Sequence, residues 1–172
     1  MESLLLRRAT VEDAKGIAQV SVETWKTAYS GLLPDDYLHK LNVDQRAQTW
    51  AKLLEFAPKG NQTIVAEIGG RIIGFIGIGP SSEAGAMKFG EVYAIYVKPD
   101  YQSRGVGSQL MKEGIRILKD QGFNRATLWV LEQNISTRSW YESHGWHPNG
   151  KSKIEKRANF EMQEAQYVID FE

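Results

Sequence analysis

The stretch from Glu91 to Gln121 constrains this chain more than any other. It begins with EVYAIYV, a β-branched and aromatic run that reads as a strand over Glu91–Val97. Pro99 ends that strand. A turn follows, Gln102-Ser103-Arg104-Gly105-Val106-Gly107. Leu110, Met111, Gly114, Ile117 and Leu118 then recur along one side of a helix over Val106–Gln121. A strand that passes through a bare, basic turn straight into a helix starts a crossover, and crossovers build sheets that carry helices on their faces.

The rest of the chain agrees. Leu4–Arg8 reads as a short strand, and Thr10 with Asp13 three residues on is a helix N-cap signal. Ile17, Val20, Val22, Trp25, Ala28 and Tyr29 follow at helical spacing, until Gly31 and Pro34 end the run. Asn42 with Gln45 opens a further helix carrying Ala47, Trp50, Leu53 and Leu54. TIVAEIGGRIIGFIGIG is two β-branched runs around Gly69-Gly70, a β-hairpin. RATLWVL is a strand, Ile135–His144 a helix stopped by Gly145, and EAQYVIDFE a last strand. The order is β, helices, a ββ hairpin, β, α, β, α, β. This predicts an α/β fold, a mixed sheet with flanking helices. No repeat or linker divides the chain, so one domain over 1–172 is expected. GPSSEAGAMKFG, between the hairpin and Glu91, is the least patterned segment and reads as a surface loop or a substrate-side flap.

Composition excludes several classes. Lys plus Arg is 21 and Asp plus Glu is 21, a formal net charge of zero. A dedicated nucleic-acid binder shows a basic excess instead. There is no cysteine, hence no disulfide, thiol nucleophile or cysteine-based metal site. His144 and His147 are three apart with no third ligand of matching type nearby, so no metal is expected. The three leucines of MESLLLRRAT are too few for a signal-peptide core. No apolar run approaches the ~18 residues of a membrane span. A soluble, cytoplasmic protein without nucleic-acid or membrane partners is expected.

The glycine turn has two readings. A helix N-terminus leaves its first N–H groups unpaired and partly positive, glycines let an anion approach the backbone, and Arg104 adds a forked charge. That makes an anion cradle. Alternatively, Gly105 and Gly107 only cap and pack a strand–helix joint. Two phosphate loops are excluded. Gly107 is followed by Ser108-Gln109 with no lysine, unlike a Walker loop, and Leu110 stands where a dinucleotide fingerprint needs a third small residue.

The wider context resembles the GNAT superfamily of N-acetyltransferases. Gln102, Gly105 and Gly107 match that family's Q/R-x-x-G-x-G/A loop, and EVYAIYVKPDYQ is its usual lead-in strand. NISTRSWYESHGW resembles its N-x-x-A-x-x-x-Y-x-x-x-G-F segment. Asn134, Tyr141 and Gly145 fall in register, with Thr137 in place of alanine and Trp146 in place of phenylalanine. The resemblance implies a twisted, mostly antiparallel sheet with splayed middle strands. It also implies transfer of an acetyl group from acetyl-CoA, a cosubstrate, to a primary amine of a small molecule or peptide. The pyrophosphate would lie on Gln102-Ser103-Arg104-Gly105-Val106-Gly107-Ser108. The pantetheine arm would pair with the strand edge at Ile95, Tyr96 and Val97, and bond Asn134, which also reads as a helix N-cap.

The chemistry needs more. An alkyl amine is mostly protonated at pH 7, and only the neutral form attacks a thioester. Glu91 is the first candidate for the base, directly or through water; its alternative is an exposed glutamate at a strand start. The Ile95 N–H is the nearest candidate for the oxyanion. Tyr141 matches the position that protonates the departing thiolate in many relatives; its alternative is a half-buried aromatic. On the acceptor side, Trp25 and Tyr29 share a helix face, inside a W-x-x-x-Y-x-G-hydrophobic-hydrophobic-P stretch that a subgroup also shows. They either line an amine pocket through cation–π contacts or simply pack the core. The rival functions are a non-catalytic acyl-CoA-binding or regulatory module and transfer of a longer acyl group. A homodimer is compatible with the sequence.

Overall fold

In the computed structural model of the protein, which describes residues 2–83 and 89–171, hydrophobic periodicity sorts side chains to two sides of one sheet. The neighbours Ile64 and Val65 in strand β2 (Gln62–Ile68) point opposite ways and join different clusters. Ile64 faces helix α4 (Val106–Asp120) together with Ile76, Leu110 and Leu118. Val65 faces helices α1 (Ala14–Ala28) and α3 (Val43–Glu55) together with Ile17, Val20 and Phe75. Strand β3 (Arg71–Pro80) is buried on both faces through Ile73–Gly79 and needs no polar alternation, which explains its continuous apolar run.

Among the described residues seven strands form this sheet, in the order β1-β2-β3-β4-β5-β7-β6. Strand β1 (Leu4–Arg8) pairs with β2, and β3 with β4 (Gly90–Val97), all antiparallel. The Arg7 guanidinium forks onto Asp13 at 2.8 and 2.9 Å and reaches Glu67 at 3.0 Å, tying β1 to β2 and to the turn that leads into α1. Asp13 in turn accepts the Thr10 N–H at 2.7 Å, completing the expected cap. Helix α4 starts at Val106 and helix α5 spans Ile135–Ser143, each ending one residue earlier than the sequence pattern indicates.

Two differences from the sequence reading stand out. The tail holds a hairpin, not one strand: β6 (His147–Arg157) turns at Ala158 and returns as β7 (Phe160–Asp170). Strand β6 is an exposed edge of HPNGKSKIEKR, with charged residues where a buried strand would carry apolar ones, so it has no hydrophobic signature. A short helix, α2 (Asp35–His39), also follows Pro34, too brief for a helical period to register. Residues 84–88 of the loop read as a possible flap lie outside the described residues.

The sheet parts in its middle. Among the described residues, strands β4 and β5 (Arg125–Leu131) are the one parallel pair of strands, and they meet only at Gly90 with Ala126 and Glu91 with Thr127. Beyond Glu91, β4 keeps its pairing with β3 to Val97, while β5 pairs with β7 along its whole length. Gly77 pairs with Ala94 and Ile78 with Val92, so Tyr93 is an extra, bulged residue at the start of the divergence. The splayed, mostly antiparallel sheet that the resemblance implies is present.

Leu110 is fully buried beneath the sheet, whereas Leu53 is 50% exposed. Leu110→Ala is expected to cost about 2–5 kcal/mol of stability, and Leu53→Ala less than about 0.5 kcal/mol. Urea unfolding of both variants checks this.

Candidate active site

A cleft of about 830 Å³ fills the space between β4 and β5. One wall is a backbone edge. Lys98 donates its N–H to Ile73 O at 2.8 Å, which sets the alternation of the antiparallel β3–β4 ladder. The Tyr96 peptide groups therefore face β3, and those of Ile95 and Val97 turn toward the cleft. Val97 O accepts from Gln102 Nε2 at 2.9 Å, so the side chain that opens the glycine turn is anchored to the strand it follows.

The turn itself forms the next part of the wall. Gly105 is the N-cap of α4 with φ +83°, a left-handed conformation that favours glycine, and it offers no capping side chain. Gln109 N–H bonds Gly105 O at 3.1 Å, which leaves the N–H groups of Val106, Gly107 and Ser108 at the open end of the helix. A Cβ on Gly107 would stand 3.1 Å from the Trp140 ring. Gln102, Ser103, Gly105, Gly107 and Ser108 all line the cleft. Two expected residues do not present side chains there. Val106 is buried in the core, so only its peptide can serve, and the Arg104 guanidinium lies over the Tyr101 ring at 5.3 Å. Ser108 Oγ also contacts His144 Nε2 at 2.7 Å, while His144 stacks on Trp140 at 4.0 Å, which pins the start of α4 to the end of α5.

Three further expected residues reach the cleft from different elements. Tyr141, on α5, is buried and lines the cleft, and burial pushes its phenol well above the usual range, so it stays protonated at neutral pH. Asn134 is buried, caps α5 by accepting the Thr137 N–H at 3.4 Å, and also lines the cleft. Glu91 is buried, not an exposed surface glutamate. Its Oε1 accepts from Ser82 N–H at 2.9 Å and Ser82 Oγ at 2.8 Å, which holds the carboxylate at the point where β4 and β5 part.

Trp25 and Tyr29 pack edge to face at 4.8 Å, and both line the cleft. Tyr29 is also buried among Leu33, Leu38, Leu131 and Met162, so core packing and pocket lining coincide. Burial raises the phenols of Tyr29 and Tyr96, whose hydroxyls neighbour each other.

The sequence reading missed the opposite wall. Lys153, Glu155 and Arg157 of β6 and Glu164 of β7 all line the cleft. The pairs Lys153 with Glu164, Glu155 with Met162 and Arg157 with Phe160 put them on one sheet face. The signal was their period of two on either side of the Ala158 turn, masked because the strand is charged rather than apolar. Burial, then a hydrogen bond with Glu155, raises the Glu164 carboxyl from 4.5 to about 7. Among the described residues no three His, Asp or Glu side chains group as a metal site, and no helix is long and apolar enough to cross a membrane.

Comparison with known proteins bears on this geometry. Residues 22–146 match the profile of the Acetyltransferase (GNAT) family. An uncharacterized N-acetyltransferase of Bacillus subtilis is 35% identical over 131 residues, 76% of this chain and 73% of that protein. The spermidine N(1)-acetyltransferase of Thermoplasma acidophilum is 25% identical over 155 residues, 84% of this chain and 88% of its own. The crystal structure of an N-acetyltransferase from Thermoplasma acidophilum in complex with coenzyme A superposes with a TM-score of 0.72 at 21% identity, covering 98% of this chain and 99% of the other. That likeness shows a shared fold.

Two outcomes are expected. Gly107→Val, which pushes a branched side chain against Trp140 beside the open N–H groups, weakens coenzyme A binding about tenfold or more; calorimetric titration checks it, with circular dichroism confirming the fold. Glu164 takes up a proton on folding, because its folded value lies above the ordinary one. Its contribution to stability is therefore complete below about pH 4.5 and is lost as pH rises through about 7. Glu164→Gln is expected to flatten the stability profile across that window, read by thermal melts.

Proposed function

Because the chain belongs to the acetyltransferase (GNAT) family and is an acetyl-CoA-dependent N-acetyltransferase, we propose that a primary amine of a small molecule or peptide attacks the thioester directly, inside the cleft between β4 and β5. The observation that carries this reading is the divergence of those strands after Glu91. It joins two sheet faces through one gap. Tyr141 belongs to the cluster on the α4 and α5 face, and Tyr29 to a cluster on the α1 face. Acyl donor and amine thus approach from opposite sides.

On the donor side, the uncapped N–H groups of α4 suit the pyrophosphate, and the outward peptide groups of Ile95 and Val97 suit the amides of the pantetheine arm. The amine lone pair forms a bond to the carbonyl carbon, and the carbonyl π electrons move onto oxygen. The Ile95 N–H is the donor offered to that oxyanion. The proton lost by nitrogen passes to Glu91, directly or through water. Glu91 pairs with Thr127 and so faces the acceptor side of the sheet, as Glu164 does. The intermediate collapses, the C–S bond breaks, and Tyr141 supplies a proton to the thiolate. From reference values, a phenol near 10 giving a proton to a thiol near 8.5 is uphill by roughly 2 kcal/mol. Burial adds to that, so the proton is shared as negative charge builds on sulfur and is not transferred ahead of it.

Trp25, Tyr29 and Tyr96 supply aromatic surface for the acceptor. The similar Thermoplasma protein is a spermidine acetyltransferase, which places spermidine in any acceptor panel.

Thiol release from acetyl-CoA, followed with a thiol-reactive dye, tests the reading cleanly because the chain itself has no cysteine. Amine-dependent release is expected. Coenzyme A binding without release for any amine would favour a non-catalytic acyl-CoA-binding module. Tyr141→Phe is expected to lower kcat by about 10²-fold with coenzyme A affinity retained; an unchanged rate would remove Tyr141 from the mechanism.

A further inference from the structure

The hydrogen on the His144 ring can be assigned from its partners. Nδ1 lies 2.8 Å from Trp140 O, and a carbonyl oxygen only accepts, so Nδ1 carries a hydrogen. Ser143 Oγ stands 3.0 Å from the same nitrogen, but its one hydrogen goes to Trp140 O at 2.7 Å. In the neutral ring Nε2 is therefore bare. The 2.7 Å contact with Ser108 then has one sense: the Ser108 hydroxyl donates to Nε2. Stacking on Trp140, with ring centroids 4.0 Å apart, holds the imidazole in this pose.

That bond uses the hydroxyl hydrogen of a residue at the open end of α4. Ser108 is the third residue of the helix and lines the cleft, and a helical side chain leans back toward the N-terminus. With the imidazole neutral, Ser108 Oγ offers only lone pairs to a phosphate oxygen, which likewise has only lone pairs. Protonation of the ring reverses the bond. Nε2–H donates to Ser108 Oγ, and the hydroxyl hydrogen turns to the phosphate. The same proton places a positive charge behind the serine. Arg104, the cation expected at this turn, lies over the Tyr101 ring instead.

No carboxylate competes for the ring at short range. Among the described residues none lies within ion-pair distance of His144. Of the ionisable residues on the elements around it, Lys112 stands one turn beyond Ser108 on α4, and His147 opens β6. Glu142 of α5 is engaged, accepting from the Tyr167 hydroxyl at 3.1 Å.

We propose that His144 is a positioning residue for the acyl donor: it acts through Ser108, and its protonated form steadies the coenzyme A pyrophosphate at the N-terminus of α4. Cofactor binding thereby draws a proton onto His144. This inference rests on the acetyltransferase reading above.

The test is calorimetric titration of coenzyme A into the unaltered protein, His144→Gln and Ser108→Ala, each in two buffers of different ionisation enthalpy. Imidazoles ordinarily titrate near pH 6.5. If the pyrophosphate prefers the charged ring by about tenfold, binding at about pH 7 takes up about half a proton, and affinity rises about sevenfold from about pH 8 to about pH 5.5. The 3′-phosphate of coenzyme A titrates near pH 6 with all three proteins and cancels in the comparison. Glutamine can still bond Ser108 but does not titrate, so His144→Gln is expected to lose this uptake. Ser108→Ala keeps the ring and loses the hydroxyl, and its uptake is expected to fall by more than about half. A role confined to pinning the two helices would change affinity without changing proton uptake. The same uptake in the unaltered protein and in either folded variant would overturn the proposal; circular dichroism reports folding, and should His144→Gln not fold, Ser108→Ala decides alone. Absence of coenzyme A binding by the unaltered protein would instead overturn the acetyltransferase reading beneath it.

Discussion

The parting of β4 from β5 after Glu91 governs the rest of the molecule. A strand edge inside a sheet normally finds a neighbour, since a buried peptide group without a partner costs about 1–3 kcal/mol. Here two halves of a sheet pair through their backbones only at their narrow end, and one apolar core shared by β2 to β5, β7, α4 and α5 holds them together. In one half, β1 to β4 are sandwiched between α1 and α3 on one face and α4 on the other. In the other, β5 is clamped along its full length by β7, and β7 by β6. The charged β6 thus extends the half-sheet that holds β5 away from β4. It also brings Lys153, Glu155 and Arg157 to the cleft.

The gap gives the chemistry its geometry. Acyl transfer needs two reactants to meet while each is held by its own contacts. A continuous sheet would keep its two faces apart; a sheet open at one end lets the donor lie along a backbone edge and the acceptor reach it from the other face. The donor side is built from peptide groups and a glycine N-cap, which suits a ligand of fixed structure. In the proposed reading the acceptor side is built from aromatic rings and charged side chains on α1, β6 and β7.

Much of the donor side was legible in the sequence. The lead-in strand, Gly105, Gly107, Asn134 and Tyr141 lie close together along the chain, so their spacing alone carried the pattern. Two features were not legible for physical reasons. The splay was expected only through the family resemblance, because it is a relation between strands far apart in the chain, Glu91 pairing with Thr127, and no local periodicity encodes it. The cleft wall on β6 and β7 has polar residues on the face that a core strand would make apolar, so the hydrophobic signal was absent there. Trp25 and Tyr29 were open between packing and lining, and their positions satisfy both. Arg104 was expected at the anion; its guanidinium lies over the Tyr101 ring, a placement that the turn's sequence does not encode.

Amide hydrogen exchange at β4, measured with and without acetyl-CoA, tests most directly whether the splayed edge receives the donor. Slowed exchange at Ile95 and Val97, whose N–H groups turn to the cleft, with little change at Tyr96, already paired to β3, is expected. Unaltered exchange at Ile95 and Val97 in the presence of saturating acetyl-CoA, or equal slowing at all three residues, would contradict the role assigned to that edge.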